Sequence, residues 1–137
     1  MNEKEFQEKY LEFQMASQQM EQLEQHVQRM RQHIAELNKV NESISEMQKT
    51  KKDTEILVHL GAGIFMKSEI KDSSKVIMNV GSSTVIEKNA DEAKKLIEHQ
   101  LKEMHQGAMD IESQLLEISS YASNLQRELV SHQNSQS

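Results

Sequence analysis

The 137-residue chain is 36% hydrophobic and 4% aromatic, carries 28% charged residues with a formal charge of −6, and has no proline or cysteine. So little apolar side chain makes a thin globular core, and the spread of Lys and Arg does not suit a nucleic-acid backbone. Disulfides and thiolate metal sites are excluded, and no 18-residue apolar run offers a membrane-crossing helix. Long uninterrupted helices fit this composition better than a loop-rich enzyme does. The first ten residues, MNEKEFQEKY, are charged and lack the apolar stretch of a signal peptide. A soluble intracellular protein is expected.

Residues 1–53 read as a coiled-coil helix. One seam row is Phe6, Phe13, Met20, Val27, Ile34, Asn41 and Gln48; the row three residues on is Lys9, Ala16, Leu23, Met30, Leu37, Ile44 and Lys51. Alternating steps of three and four gather these into one stripe. Asn41 is a polar residue in that stripe, which ordinarily fixes register at some cost in stability. The following KTKKD places lysines at the negative end of the helix.

The period then changes. Residues 54–88 hold three of the four glycines, and their apolar residues fall at every second place. TEILVHL precedes Gly61-Ala62-Gly63; Ile64, Met66 and Ile70 alternate with Phe65, Lys67 and Glu69. After a KDSSK turn, Val76, Met78 and Val80 alternate with Ile77 and Asn79, Gly81-Ser82-Ser83 turns again, and Thr84 to Glu87 closes. Four short strands in two β-hairpins are predicted. Apolar side chains on both faces and unpaired strand edges make such a patch marginal in water. Pairing with strands of other chains cures both defects, so Ile64, Met66, Ile70, Val76, Met78, Val80 and Val85 are the candidate oligomerisation residues.

Residues 89–132 return to helix. Asn89 is the expected cap, with Asp91 and Glu92 in the first turn and Glu92 in the capping-box position. The seam rows are Ala90, Ile97, Met104, Ile111, Ile118, Leu125 and Leu101, Ala108, Leu115, Ala122, Leu129. Gly107, beside Ala108, suits a close helix approach or a slight bend. Residues 133–137 lack a seam and read as a frayed tail. The two seams are similar in length, roughly 65 to 70 Å at 1.5 Å per residue, which favours an antiparallel pair folded on itself. A parallel dimer of the first helix is the other arrangement, but leaves the second seam needing its own partner.

Catalytic readings fare poorly. Gly61-Ala62-Gly63 would need a third glycine where Met66 stands, and strand follows it, so small residues at a strand corner account for it better than a phosphate loop. His26 and His33 are seven apart and His99 and His105 six apart, neither being the i, i+4 spacing of a helical metal pair. No nucleophile–base arrangement is present. The expectation is a protein that is not an enzyme and takes no cofactor and no metal.

The free ends of the helices differ from the rest. Phe6, Tyr10, Leu11 and Phe13 crowd two turns, more apolar surface than one seam can bury, and Leu125, Leu129 and Val130 stand opposite in the antiparallel arrangement. Clusters of this kind mark interaction sites. One reading is end-sealing of the coiled coil; the other is a clamp for unfolded polypeptide, with Met15 and Met20 behind it supplying adaptable surface.

Two long coiled-coil helices flanking LGAGIFMKSEIKDSSKVIMNVGSSTVIEKNADEA resemble the α-class subunit of prefoldin (GimC). The likeness covers almost the whole chain. It is most specific from Leu60 to Glu92, with Leu-Gly-Ala-Gly at a strand corner and Met78-Asn79-Val80-Gly81 after the turn. Gly81-Ser82-Ser83 departs from the more apolar run usual there, which bears on the turn alone. The resemblance implies a mainly α fold with a small β part: a long antiparallel two-helix coiled coil, one domain over 1–137, with two hairpins at the connecting end. It further implies a hexamer of two α-class and four β-class subunits on a β-barrel platform. Coiled-coil tips would grip unfolded polypeptides, without nucleotide, and pass them to a cytosolic group II chaperonin. The competing function is a structural or tethering coiled coil with one defined partner.

Overall fold

The computed structural model describes residues 1–136. Six elements follow one another: α1 (Glu3–Gln48), β1 (Glu55–Gly61), β2 (Ile64–Glu69), β3 (Lys75–Gly81), β4 (Thr84–Asn89) and α2 (Ala90–Gln136). The expected order of helix, two hairpins and helix is the observed one. The chain forms two compact units, Met1–Ile34 with the chain from Glu103 onward, and Ala35–Lys102.

Both helices begin on asparagine. Asn2 Oδ1 accepts the Glu5 N–H at 2.8 Å, and Asn89 Oδ1 accepts the Asp91 N–H at 2.8 Å, each satisfying an orphan donor of the first turn. Asn89 is also the last residue of β4, so strand passes into helix with no linker. α1 ends at Gln48, short of the expected limit at 53. Lys49 and Thr50 donate to the carbonyls of Glu46 and Met47 at 3.2 and 3.0 Å, tightening the last turn. Asp53 then takes a positive φ of 67°, which helix cannot hold. Lys51 therefore lies outside the helix.

At the other end α2 runs on to Gln136, where a frayed tail was expected from 133; Ser137 lies outside the described residues. Nothing in His132–Gln136 breaks a helix, and Ser135 Oγ donates back to the His132 carbonyl at 2.9 Å.

In the first unit the helices are antiparallel: Phe6 meets His132, Lys9 meets Glu128, Glu12 meets Tyr121 and Met30 meets Gly107. Its buried residues are the seam rows, with Ala16, Val27 and Ile34 on α1 and Ala108, Ile111, Ala122, Leu125 and Leu129 on α2. A Cβ on Gly107 would stand 2.9 Å from Met30 Cε, the far end of a flexible side chain that can shift to make room. In the second unit Ile44, Ile70, Ala90, Ala93, Ile97 and Leu101 are buried. Gln48 donates to Asp91 Oδ1 at 2.8 Å and accepts from Lys94 at 3.2 Å, tying the end of α1 to the start of α2.

The strands form two separate two-stranded antiparallel sheets, β1–β2 and β3–β4. Both turns are two residues long with φ positive throughout, Ala62 and Gly63 at 51° and 76°, Ser82 and Ser83 at 52° and 60°. This left-handed pair matches the twist of the flanking strands.

Candidate functional site

The hairpins leave large apolar side chains open. Ile77 is 75% exposed and Leu57 64%, and Ile64, Phe65, Val80 and Val85 are each more than half exposed. Register explains why both faces are apolar. Val58 opposes Met66 and Met78 opposes Ile86 on one face of each hairpin; His59 opposes Phe65 and Asn79 opposes Val85 on the other. The His59 and Phe65 rings meet at 5.0 Å between centroids. Large side chains left open on both sides of a two-stranded sheet cannot be satisfied by one helix pair.

Of the candidate oligomerisation residues, Ile64, Met66, Val80 and Val85 are exposed, and Val76 and Met78 are half-buried. Ile70 is 9% exposed; its N–H donates to Thr54 O at 3.0 Å and its carbonyl accepts from Asp53 at 2.8 Å. It closes the base of the first hairpin and offers no open surface. Leu57, Val58, Leu60, Phe65, Ile77 and Ile86, outside that set of seven, are exposed as well. The sequence carries the same signal, because its apolar residues fall on both faces of the strands.

A regularity links the hairpins. Each residue of the first matches one twenty positions later: Glu55↔Glu69 repeats as Lys75↔Asn89, and Leu57↔Lys67 as Ile77↔Glu87. Both ladders slip at the same place, between His59 and Gly61 and between Asn79 and Gly81. The bond from Ile70 N to Thr54 O recurs from Ala90 N to Ser74 O at 2.7 Å. The two hairpins are one unit used twice.

At the helix ends, Tyr10, Leu11 and Val130 are about half exposed, and Met15 reaches 62%. Phe6 and Phe13 are half-buried, Phe6 lying 5.1 Å from the His132 ring. Leu125 and Leu129 are only 5% and 7% exposed, so these two seal the seam. Outside the seam, Met109 and Leu116 stand seven residues apart on α2, Leu116 being 72% exposed. They lie away from the helix ends, and their heptad spacing is visible in the sequence.

Polar contacts link the two helices in this unit. Lys9 is ion-paired with Glu128 and Arg31 with Glu112, and Tyr121 donates its hydroxyl to Glu12 Oε2 at 2.7 Å. The bond to Glu128 holds the Lys9 ammonium above its ordinary pKa, and the bond to Glu12 raises the Tyr121 phenol. Among the described residues no group of three or more His, Asp or Glu is placed to hold a metal ion, and no helix is long and apolar enough to cross a membrane.

Residues 16–135 match the family described as Prefoldin subunit. The chain is 27% identical over 132 residues to prefoldin subunit alpha of Archaeoglobus fulgidus, covering 96% of each. It is 31% identical over 118 residues to prefoldin subunit alpha of Pyrococcus horikoshii, covering 85% of this chain and 80% of that one. Its fold is similar to a chain in the cryo-EM structure of filamentous PFD from Methanocaldococcus jannaschii, with a TM-score of 0.74 and 22% identity over 84% of this chain and 95% of that one.

Proposed function

This chain belongs to the prefoldin family of chaperone subunits, and from that premise we propose that it is the α-class member of a hetero-oligomeric, ATP-independent co-chaperone in the cytoplasm. In this reading two copies join four β-class subunits, the hairpins build the shared β-barrel platform, and the helix ends hold unfolded polypeptides for a group II chaperonin. What carries it is where apolar surface is left open. It lies on both faces of the hairpins in one unit and outside the seam in the other. The first kind suits strand pairing with other chains, because unpaired edges and uncovered faces coincide there. The second suits transient contact with many sequences, because methionine and leucine on an open helix face adapt to varied partners.

The client-contact residues are then Tyr10, Leu11, Met15 and Val130, with Met109 and Leu116 extending the surface along α2. Phe6, Phe13, Leu125 and Leu129 support that surface by sealing the seam beneath it. Weak contacts at several helix ends would sum to useful avidity.

The test is a complex of this chain with a β-class subunit, challenged with two unrelated denatured proteins in the absence of nucleotide. The complex is expected to suppress aggregation of both. A variant carrying Leu11→Ser, Met15→Ser, Leu116→Ser and Val130→Ser, all at exposed positions, should assemble to the same mass but protect poorly. Undiminished protection by that variant would remove the helix ends as the client site. Protection of a single client, or of none, would favour a tether with one defined partner.

A further inference from the structure

We propose that the unit holding the helix ends selects unfolded segments rich in lysine and arginine, seating each cation against a carboxylate set among its exposed apolar residues. The inference rests on the client-holding reading above and adds the class of client. Charge divides unevenly between the two units. Met1–Ile34 with Glu103–Ser137 holds five Lys and Arg against eleven Asp and Glu, and so carries the whole formal charge of −6. Ala35–Lys102 holds eleven of each and carries none.

The imbalance is sharper where the helices face one another. No lysine or arginine stands between Lys9 and Arg29 on α1, or between Lys102 and Arg127 on α2. Contacts of Lys9 with Glu128, Glu12 with Tyr121 and Met30 with Gly107 set these two stretches side by side. The apolar residues left open on them each have a carboxylate three or four places along the same helix, the spacing at which helical side chains meet. Leu11 has Glu8, Met15 has Glu12, Tyr121 has Glu117, and Met109 and Leu116 share Glu112. Tyr121 is a neutral donor and leaves Glu12 its charge, whereas Arg31 offsets that of Glu112.

One groove on this unit combines both features. Met20, Leu115 and Leu116 line it with Glu24 and Glu112, and Arg31 reaches in to pair with Glu112. The exposed Glu24 then supplies the charge that the groove presents. A lysine or arginine laid there covers leucine and methionine with its aliphatic stem while its charged head meets the carboxylate. A segment rich in Asp and Glu meets charge of its own sign instead, as a nucleic-acid backbone would. The occupant that fits is an unfolded polypeptide in which cationic and apolar residues are interleaved.

Fluorescence anisotropy of labelled, unstructured peptides reads the preference, using the complex of this chain with a β-class subunit. Three peptides share one apolar pattern and carry lysine, glutamine or glutamate at the remaining positions. At low salt the lysine peptide should bind about tenfold more tightly than the glutamine peptide, and the glutamate peptide more weakly than either. The spread should close at about 0.5 M salt, because exposed charges are screened. A variant carrying Glu8→Gln, Glu21→Gln, Glu24→Gln and Glu117→Gln, all at exposed positions, should lose most of the lysine preference and bind the glutamine peptide as before. Circular dichroism and sedimentation check that it stays folded and assembles to the same mass. Equal binding of all three peptides by the wild type, or an undiminished lysine preference in the variant, would overturn the proposal and leave client holding intact. Binding of none of the three would remove the client reading itself, and this proposal with it.

Discussion

Ser82 and Ser83 hold backbone conformations that usually go to glycine, at φ 52° and 60°. The equivalent turn uses Ala62 and Gly63, so the second hairpin has a side chain where the first has none. The left-handed conformation costs a residue with a Cβ roughly 1–2 kcal/mol, partly offset by glycine's greater freedom in the unfolded chain. Ser83→Gly is therefore expected to stabilise the protein by about 0.5–1 kcal/mol, and Gly63→Ser to destabilise it by a similar amount. Urea unfolding followed by circular dichroism measures both, and equal midpoints would mean that the turns carry no strain. Asn41, by contrast, fits its place in the seam imperfectly. Its Oδ1 is buried and accepts no bond from the protein, an arrangement consistent with fixing register at a cost.

Along the helices, pairing in the first unit depends on protons. A bond to Glu128 raises the Lys9 pKa and a bond to Glu12 raises that of Tyr121, so each keeps its proton to higher pH than it otherwise would. Both groups are held protonated in the folded state. Their contribution is complete below the ordinary values of 10.5 and 10.0 and is lost as pH rises through the raised ones. Alkali should thus loosen this unit. In a Tyr10→Phe variant, absorbance at the phenolate band follows Tyr121 alone, and its midpoint is expected above 10.0. Adding Glu12→Gln should lower that midpoint; an unchanged midpoint would show that the bond to Glu12 does not form in solution. Asp72 behaves in the opposite sense. Bonds from the Ser74 hydroxyl and N–H hold its pKa low, so the turn it caps keeps that support above the ordinary carboxylate value and loses it as pH falls through the lowered one.

For the whole molecule, each unit has its own buried seam, and the open strand edges belong to one unit only. Replacing residues 54–88 by a short loop should leave a helical protein that no longer enters a high-mass complex with a β-class subunit. Sedimentation velocity of the mixture reads this directly. A variant without hairpins that still entered the complex would move assembly to the helices. Substitutions distant from one another and without shared partners act independently, so this deletion and the helix-end variant should divide assembly from protection.

Period was the legible part. Apolar residues at steps of three and four can share a side only on a helix, and residues at steps of two only on a strand, so the order of elements, the seam rows and the cap at Asn89 were readable from the chain alone. Coverage was not. Leu125 and Val130 are both apolar residues near the same end, yet one is 5% exposed and the other 46%. Ile64 and Ile70 share an alternating row, yet one is open and the other closes the base of its hairpin. The twenty-residue repeat lay in the sequence, but only the paired registers and matching slips revealed that both copies fold alike and that Lys67 and Glu87 are equivalent. Periodicity tells which side of an element is apolar. Which of those residues remains open is decided by what the rest of the chain brings against it, and only the tertiary structure specifies that.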